Sequence, residues 1–404
     1  MNDNDFIPFF RPLIGDEEIN DVNQCLRSGW LTTGRYAKQF EQDFADYMGR
    51  TQAVAVNSCT AALHLALEAV GIKPGDLVLV PTYTFAATAE VVRYMDAIPV
   101  LVDMNDSDFN MDMQKTEQIL KDIALGKKVK GVPEKHNGVK AIIPVHFGGQ
   151  AVDVAYCRKL CDEFNLLLIE DCAHCCPAYY KDNDGTWKMT GSSADIACYS
   201  FYANKTITTG EGGMALTNNE EWADRMRIMS LHGISKDAWK RFSREGSWFY
   251  EITAPGFKYN MTDIAAAIGV NQLKRADSFH LSRKTIAEYY TKKLSDIKGL
   301  RLPIENDNIK HSWHLYIIRI DEHLAGISRN DFIKKMTEAG IGCSVHYIPL
   351  HIHPYYKENF SYEDKDFPIA YQTYTQAVSL PIYPDLKDFE LKRITDTVCE
   401  ILNK

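Results

Sequence analysis

The feature that most limits how this chain can fold is an alternation running from about residue 53 to about residue 230, in which short apolar, β-branched runs take turns with amphipathic stretches of helical period. Residues 53–56, 77–81, 98–102, 140–145, 166–170, 195–200 and 212–217 read as strands. Residues 61–70, 86–94 and 152–164 read as helices, and a further helix starts near Asn219. Near-continuously apolar strands are those covered on both faces, the condition of a mostly parallel sheet flanked by helices. The class is therefore α/β. The texture changes near Pro255, where two long helical patterns, 261–276 and 281–297, lead into a mixture of strand (314–320) and helix (329–339 and 388–402). A chain of 404 residues exceeds what one core usually supports. The expected organisation is a large domain over residues 1–255 and a smaller α+β domain over residues 256–404.

Composition narrows the function classes. The net charge of −9 carries no concentrated basic face, which argues against a nucleic-acid binder that must neutralise phosphates. The basic stretch 126–140 reads as an exposed loop or hairpin, since its lysines cannot be buried unpaired; a nucleic-acid patch is the rival reading. No run approaches the roughly 18 apolar residues of a spanning helix, and residues 1–10 lack the basic start and apolar stretch of a signal peptide. No membrane partner and a cytoplasmic location are expected. The ten cysteines fall largely in apolar segments, as at Cys157 and Cys161, where reduced core thiols are common, so disulfides are not expected.

Three features sit at the ends of predicted strands, where α/β proteins gather ligand-binding groups. The first, Asn57-Ser58-Cys59-Thr60-Ala61-Ala62, follows one strand and opens a helix. Free N–H groups and small hydroxyl residues there suit a phosphate, and an ordinary helix cap would look the same. The second is Ile169-Glu170-Asp171-Cys172-Ala173-His174, an apolar strand ending in charge. An aspartate in that place can keep a pyridine nitrogen protonated and make the ring an electron sink, as pyridoxal-phosphate (PLP) chemistry requires. Zinc is the rival, with Cys172, His174, Cys175 and Cys176 crowded together, but structural zinc sites spread their ligands as separated pairs, so no metal is expected. The third is Ser200-Phe201-Tyr202-Ala203-Asn204-Lys205, followed by Thr206-Ile207-Thr208-Thr209-Gly210-Glu211-Gly212-Gly213. A lysine between a buried strand and a glycine-rich turn loses water, which favours the neutral amine needed for a Schiff base. Alone it would read as a surface turn; in this order behind the other two it does not.

In that order the residues resemble the DegT/DnrJ/EryC1/StrS family of PLP-dependent aminotransferases acting on nucleotide-linked sugars, and the likeness spans nearly the whole chain. Ser28 to Gly34 looks like the family's N-terminal substrate loop, Pro81 to Thr88 its next cofactor segment, Lys258 to Asp263 its domain-joining motif, and Ser344 to His351 its C-terminal substrate motif. The resemblance implies an aspartate-aminotransferase-like PLP-dependent transferase of fold type I, and a homodimer whose active sites are each completed by the partner. It implies that Lys205 forms the internal aldimine and shuttles the proton, and that Asp171 pairs with the pyridine nitrogen. His174 would contact the cofactor's phenolic oxygen and Phe85 would cover the ring face. Ser58, Cys59, Thr60 and Ser200 would hold the phosphate, joined by Asn260 from the other subunit. Cys59 stands where glycine is common, so its backbone rather than its side chain is the expected contact.

Thr33, His314, His346 and Tyr347 are candidate substrate contacts, with a purely structural hydrogen-bonding role open for each histidine. L-glutamate would be the amino donor and a nucleotide-linked keto sugar the acceptor. The run after Lys205 is similar to members that aminate C4. A 3-keto sugar or cyclitol aminotransferase, or a non-catalytic regulatory relative, are the alternatives. Residues 125–137 look longer than usual for the family, and residues 180–190 look like a modest surface elaboration.

Overall fold

The computed structural model describes residues 6–235 and 249–402. In chain order the first nine strands are β1 (Gln52–Val56), β2 (Leu77–Pro81), β3 (Ile98–Val102), β4 (Val139–Ile142), β5 (Leu167–Asp171), β6 (Tyr179–Lys181), β7 (Trp187–Met189), β8 (Ile196–Ser200) and β9 (Gly213–Thr217). Seven of them form one sheet in the order β1-β9-β8-β5-β4-β2-β3. Only β9 runs against its two neighbours, β1 and β8; the remaining pairings are parallel. All five residues of β2, and all five of β9, are buried, as apolar runs sandwiched between helices must be. The expected α/β sheet with a mostly parallel order is the one found.

The strand ends differ slightly from the sequence pattern. Strand β5 continues one residue past the expected end, because Asp171 pairs with Cys198 of β8. Strand β4 stops at Ile142, short of the expected 145; Pro144 has no N–H to give to a ladder. Downstream, the helix expected at 261–276 spans Asp263–Lys274, its start capped by Thr262, whose side chain accepts the Ala265 N–H. The next helix begins earlier than the pattern suggested and spans Ala276–Leu294.

A second sheet is built from β10 (Leu300–Arg301), β12 (Tyr316–Ile320) and β13 (Ala377–Leu380), while β11 (Ile309–Lys310) pairs with the β6–β7 hairpin. The second sheet has its own core. Ile286, Tyr290 and Leu294, then Phe332 and Met336, then Ile394 and Val398, supply the apolar faces of three helices that cover it. The 180–190 segment, expected as surface elaboration, is therefore a hairpin whose edge is occupied by residues 309–310. The basic stretch 126–140 is largely exposed, and two of its lysines, Lys127 and Lys130, find carboxylates. Lys127 meets Asp122 at 2.8 Å, and Lys130 lies 3.3 Å from Asp366. Val129 and Val132 pack against the core beneath. No helix among the described residues is long and apolar enough to cross a membrane.

Candidate active site

Strands β1, β5 and β8 end at the same edge of the main sheet, and the chain leaves each of them through one of the three motifs. Between those exits lies a cavity of about 450 Å³, within the range of small-molecule sites. Ten of the residues expected from sequence face it: Ser58, Cys59, Thr60, Phe85, Asp171, His174, Ser200, Lys205, His346 and Tyr347. Thr33, Asn260 and His314 do not.

Lys205 follows β8 and lines the cavity. Surrounding protein removes water from the ammonium and pushes its pKa down to about 8, against a smaller opposing pull from Cys59 and Asp171. Near neutral pH a usable fraction is therefore the neutral amine, the nucleophilic form. Asp171, the last residue of β5, is buried. Loss of water pushes its pKa up, while the Ala173 N–H, 3.1 Å from Oδ1, and the Thr88 hydroxyl, 2.9 Å from Oδ2, push it back toward the charged form, as does the positive charge of Lys205.

One end of the cavity is built by the turn from β1 into the helix Cys59–Ala69. Ser58 caps that helix by accepting the Ala61 N–H at 3.1 Å. The first turn leaves the N–H groups of Cys59 and Thr60 without intrahelical acceptors, pointing at the cavity end with the positive end of the helix dipole. Strand β9 crosses directly behind this turn. A Cβ on Gly213 would lie 2.4 Å from the Ser58 carbonyl carbon and 2.6 Å from the Cys59 nitrogen, so only glycine lets the two backbones meet there. Phe85 stands on the opposite wall, 60% exposed, with its ring 5.7 Å from that of Tyr347.

The histidines divide into two layers. His174 accepts the Gly148 N–H at Nδ1 (3.1 Å), which leaves its proton on Nε2, 3.2 Å from the Tyr347 hydroxyl. Both ring nitrogens of His174 are thus engaged inside the chain. Desolvation holds its pKa well below the usual histidine range. His346 is anchored by the Ser379 hydroxyl at 2.8 Å, and burial pushes its pKa down to about 3. His314 lies behind this layer, its ring 4.5 Å from that of His174, rather than on the cavity wall. Thr33 and Asn260 meet each other instead: Asn260 Nδ2 donates to Thr33 Oγ1 at 2.8 Å, and Thr33 donates to the Met261 carbonyl. The buried Asp263 carboxylate holds this loop in place by accepting the N–H groups of Gly34 (2.7 Å) and Ala37 (3.0 Å).

The four residues of the zinc reading do not form a ligand cluster. Among the described residues, the group with metal-capable atoms within 4.8 Å of one another is His146, Glu170 and Cys172, on the other side of β5, and there His146 Nε2 is already hydrogen-bonded to Glu170. Sequence reasoning overlooked Thr84 and Thr88, which line the cavity and contact Asp171 in series, and Tyr202 and Asn204, which flank Lys205. Thr84 and Thr88 lay inside the Pro81 to Thr88 motif, and their spacing of four was the available signal.

A parallel sheet whose strand ends set a desolvated lysine opposite a buried aspartate, with a helix N-terminus between them, defines the class: a PLP-dependent transferase of fold type I. Residues 12–399 match the model of the DegT/DnrJ/EryC1/StrS aminotransferase family, and the chain belongs to that family. It is 43% identical to the spore coat polysaccharide biosynthesis protein SpsC of Bacillus subtilis, over 99% of this chain and 98% of that protein. Among solved structures it resembles a putative sugar aminotransferase from Streptococcus pneumoniae in its PLP form, with a TM-score of 0.85, 32% identity, and coverage of 98% of this chain and 99% of the other. The same Streptococcus protein in its PMP form gives the same TM-score of 0.85. The aminotransferase PseC of Helicobacter pylori, involved in the biosynthesis of pseudoaminic acid, matches with a TM-score of 0.85 at 25% identity, over 99% of each chain.

Proposed function

We propose that this protein is a PLP-dependent aminotransferase that moves the amino group of L-glutamate onto a nucleotide-linked 4-keto sugar, a 4-keto-6-deoxy hexose or pentose. The observation that carries the reading is the placement of Lys205 and Asp171 on one cavity, with the free N–H groups of Cys59 and Thr60 at its end. That donor set fits the cofactor: an anion site for its phosphate, an acid for its ring nitrogen and an amine for its aldehyde. PLP bound there would supply an electron sink for the bond-breaking at the substrate carbon.

The chain's own residues do the rest. Lys205 Nζ, in its neutral form, takes the proton from the substrate carbon and returns it to the other side of the exchange, acting as base and then acid. Asp171 would keep a charge beside the ring nitrogen of a bound cofactor. Ser58, Thr60 and Ser200 would bring hydroxyls, and Cys59 its backbone N–H, to the phosphate. Phe85 would cover the ring face. His174 and Tyr347 form a neutral hydrogen-bonded pair at the wall, and His346 stands beside them as a candidate sugar contact.

The dimer belongs to the same proposal. Asn260 is turned toward Thr33 and away from its own chain's cavity, as a residue serving the neighbouring subunit would be. We place the work of the enzyme in the cytoplasm. We divide the chain into a large domain over residues 1–255 and a smaller one over 256–404. The separate core of the second sheet supports that division, while Ala266 and Val270 pack with the first core. SpsC, by its name, works in spore coat polysaccharide synthesis, and that supports a sugar acceptor here. The run after Lys205 supports C4 over C3. The test is incubation with PLP, which should give a visible absorbance band that bleaches with L-glutamate, followed by a panel of 4-keto and 3-keto nucleotide sugars. A colourless protein, or one that aminates only 3-keto sugars, overturns the reading.

A further inference from the structure

We propose that Thr88 is a positioning residue of this site: with Thr84 behind it, it forms a one-way hydrogen-bond chain that holds the Asp171 carboxylate in its charged form. The inference rests on the proposed PLP site. Asp171 is 5% exposed, and burial without compensation would neutralise it. Two close donors oppose that, beside a weak one, the Cys59 thiol, 4.0 Å from Oδ1. One is the N–H of Ala173, two residues along, which arrives with the local turn. The other is Thr88 Oγ1, 2.9 Å from Oδ2, which comes from the helix Ala87–Tyr94 on another segment of the chain.

The direction of the chain follows from counting protons. A carboxylate only accepts, and a threonine hydroxyl has one proton to give. If Thr88 gives its proton to Asp171, its 2.9 Å contact with Thr84 Oγ1 must run with Thr84 as the donor. Thr84 and Thr88 are both buried, and every hydroxyl proton is then used. The reverse order needs a protonated Asp171 giving to Thr88 and Thr88 giving to Thr84. The Thr84 proton would then lose the acceptor that the first order gives it, and the charge-assisted bond from Thr88 to the carboxylate would be lost with it. The arrangement therefore favours the ionised acid, the form that keeps a pyridine nitrogen protonated.

The test uses the full-length apoprotein titrated with PLP, reading the dissociation constant and the position of the visible band. Thr88→Val removes the hydroxyl at nearly constant shape and should bind about 10- to 100-fold more weakly, with a displaced band, the range expected for loss of a hydrogen bond to a charged group. Thr88→Ser should restore binding to within about threefold, and Thr84→Val should fall between. Should the valine variant fail to fold, Thr88→Ala removes the same hydroxyl and gives the reading. Wild-type binding matched by the hydroxyl-less variants, with an unchanged band, overturns the inference and leaves the PLP reading standing. So does a serine variant as weak as valine, since a packing defect, not a lost donor, would then be the cause. A wild type that binds no PLP overturns both.

Discussion

Glu170 and Asp171 are consecutive carboxylates at the end of β5, and they live in opposite environments. Successive side chains of a strand point to opposite faces of the sheet, so one acid turns to the cavity and the other away from it. Glu170 is wholly buried among fixed partners: His146 Nε2 at 2.8 Å and the Gly191 N–H at 2.6 Å share Oε2, while His146 Nδ1 accepts the Val152 N–H at 3.2 Å. Asp171 is held from one side by Thr88 and Ala173 and lines the cavity on the other. Burial alone therefore does not mark a functional acid. What separates the two is what lies beyond those partners: Asp171 borders the cavity, whereas Glu170, whose Oε1 has no hydrogen-bond partner, does not.

Four experiments put that contrast at risk. The largest effect belongs to the cavity side: Lys205→Ala should lower amino transfer by about 10⁴-fold or more, while thermal unfolding of the apoprotein changes little, because no other group stands ready to move the proton. Borohydride reduction in the presence of PLP should label residue 205 in the wild type alone. Next, Asp171→Asn should cost about 10²- to 10³-fold in turnover, on the scale of losing one preorganised electrostatic contact. Its melting temperature should stay near that of the wild type, and a large fall would place Asp171 with Glu170 as a structural acid.

The third experiment reads the lysine itself. With its pKa pushed down to about 8, capture of PLP by the apoprotein should quicken about tenfold for each unit that pH rises toward that value, as the neutral amine grows, and level off above it. A rate that keeps climbing past pH 10 would mean a fully solvated lysine, whose ordinary pKa is about 10.4. The smallest effect lies on the other face of the strand. Glu170→Gln should weaken the hydrogen bond from His146 and lower unfolding free energy by about 1–3 kcal/mol, with turnover per folded molecule unchanged. Lost turnover without lost stability would dissolve the contrast.

The readability of the sequence follows how far apart the interacting residues lie. The sheet class and the three strand-end motifs were legible because each is a local pattern: an apolar run, then a cap, an acid or a lysine. The placement of Asp171 within β5, rather than after it, depends on pairing with Cys198, which local pattern does not encode. The Thr88 contact to Asp171 spans 83 residues, and that between Asn260 and Thr33 spans 227. Neither has a signature in the intervening sequence. His314 was grouped with the substrate contacts on residue type, but its ring packs behind that of His174, a matter of depth that one-dimensional pattern cannot express.

Ile7 is buried in the core of the second sheet, forms a parallel bridge with Ile341, receives the Gly342 N–H at 2.8 Å and gives its own to Gly340 at 2.8 Å. During synthesis, emerging segments fold as units from the N-terminus, yet this residue must wait until residues 340–342 have left the ribosome before it meets its neighbours. The main sheet can assemble early, but the second core closes only when these two distant stretches of the polypeptide are both present. A nascent chain cut short before residue 340 would carry Ile7 as an apolar side chain with nowhere to dock.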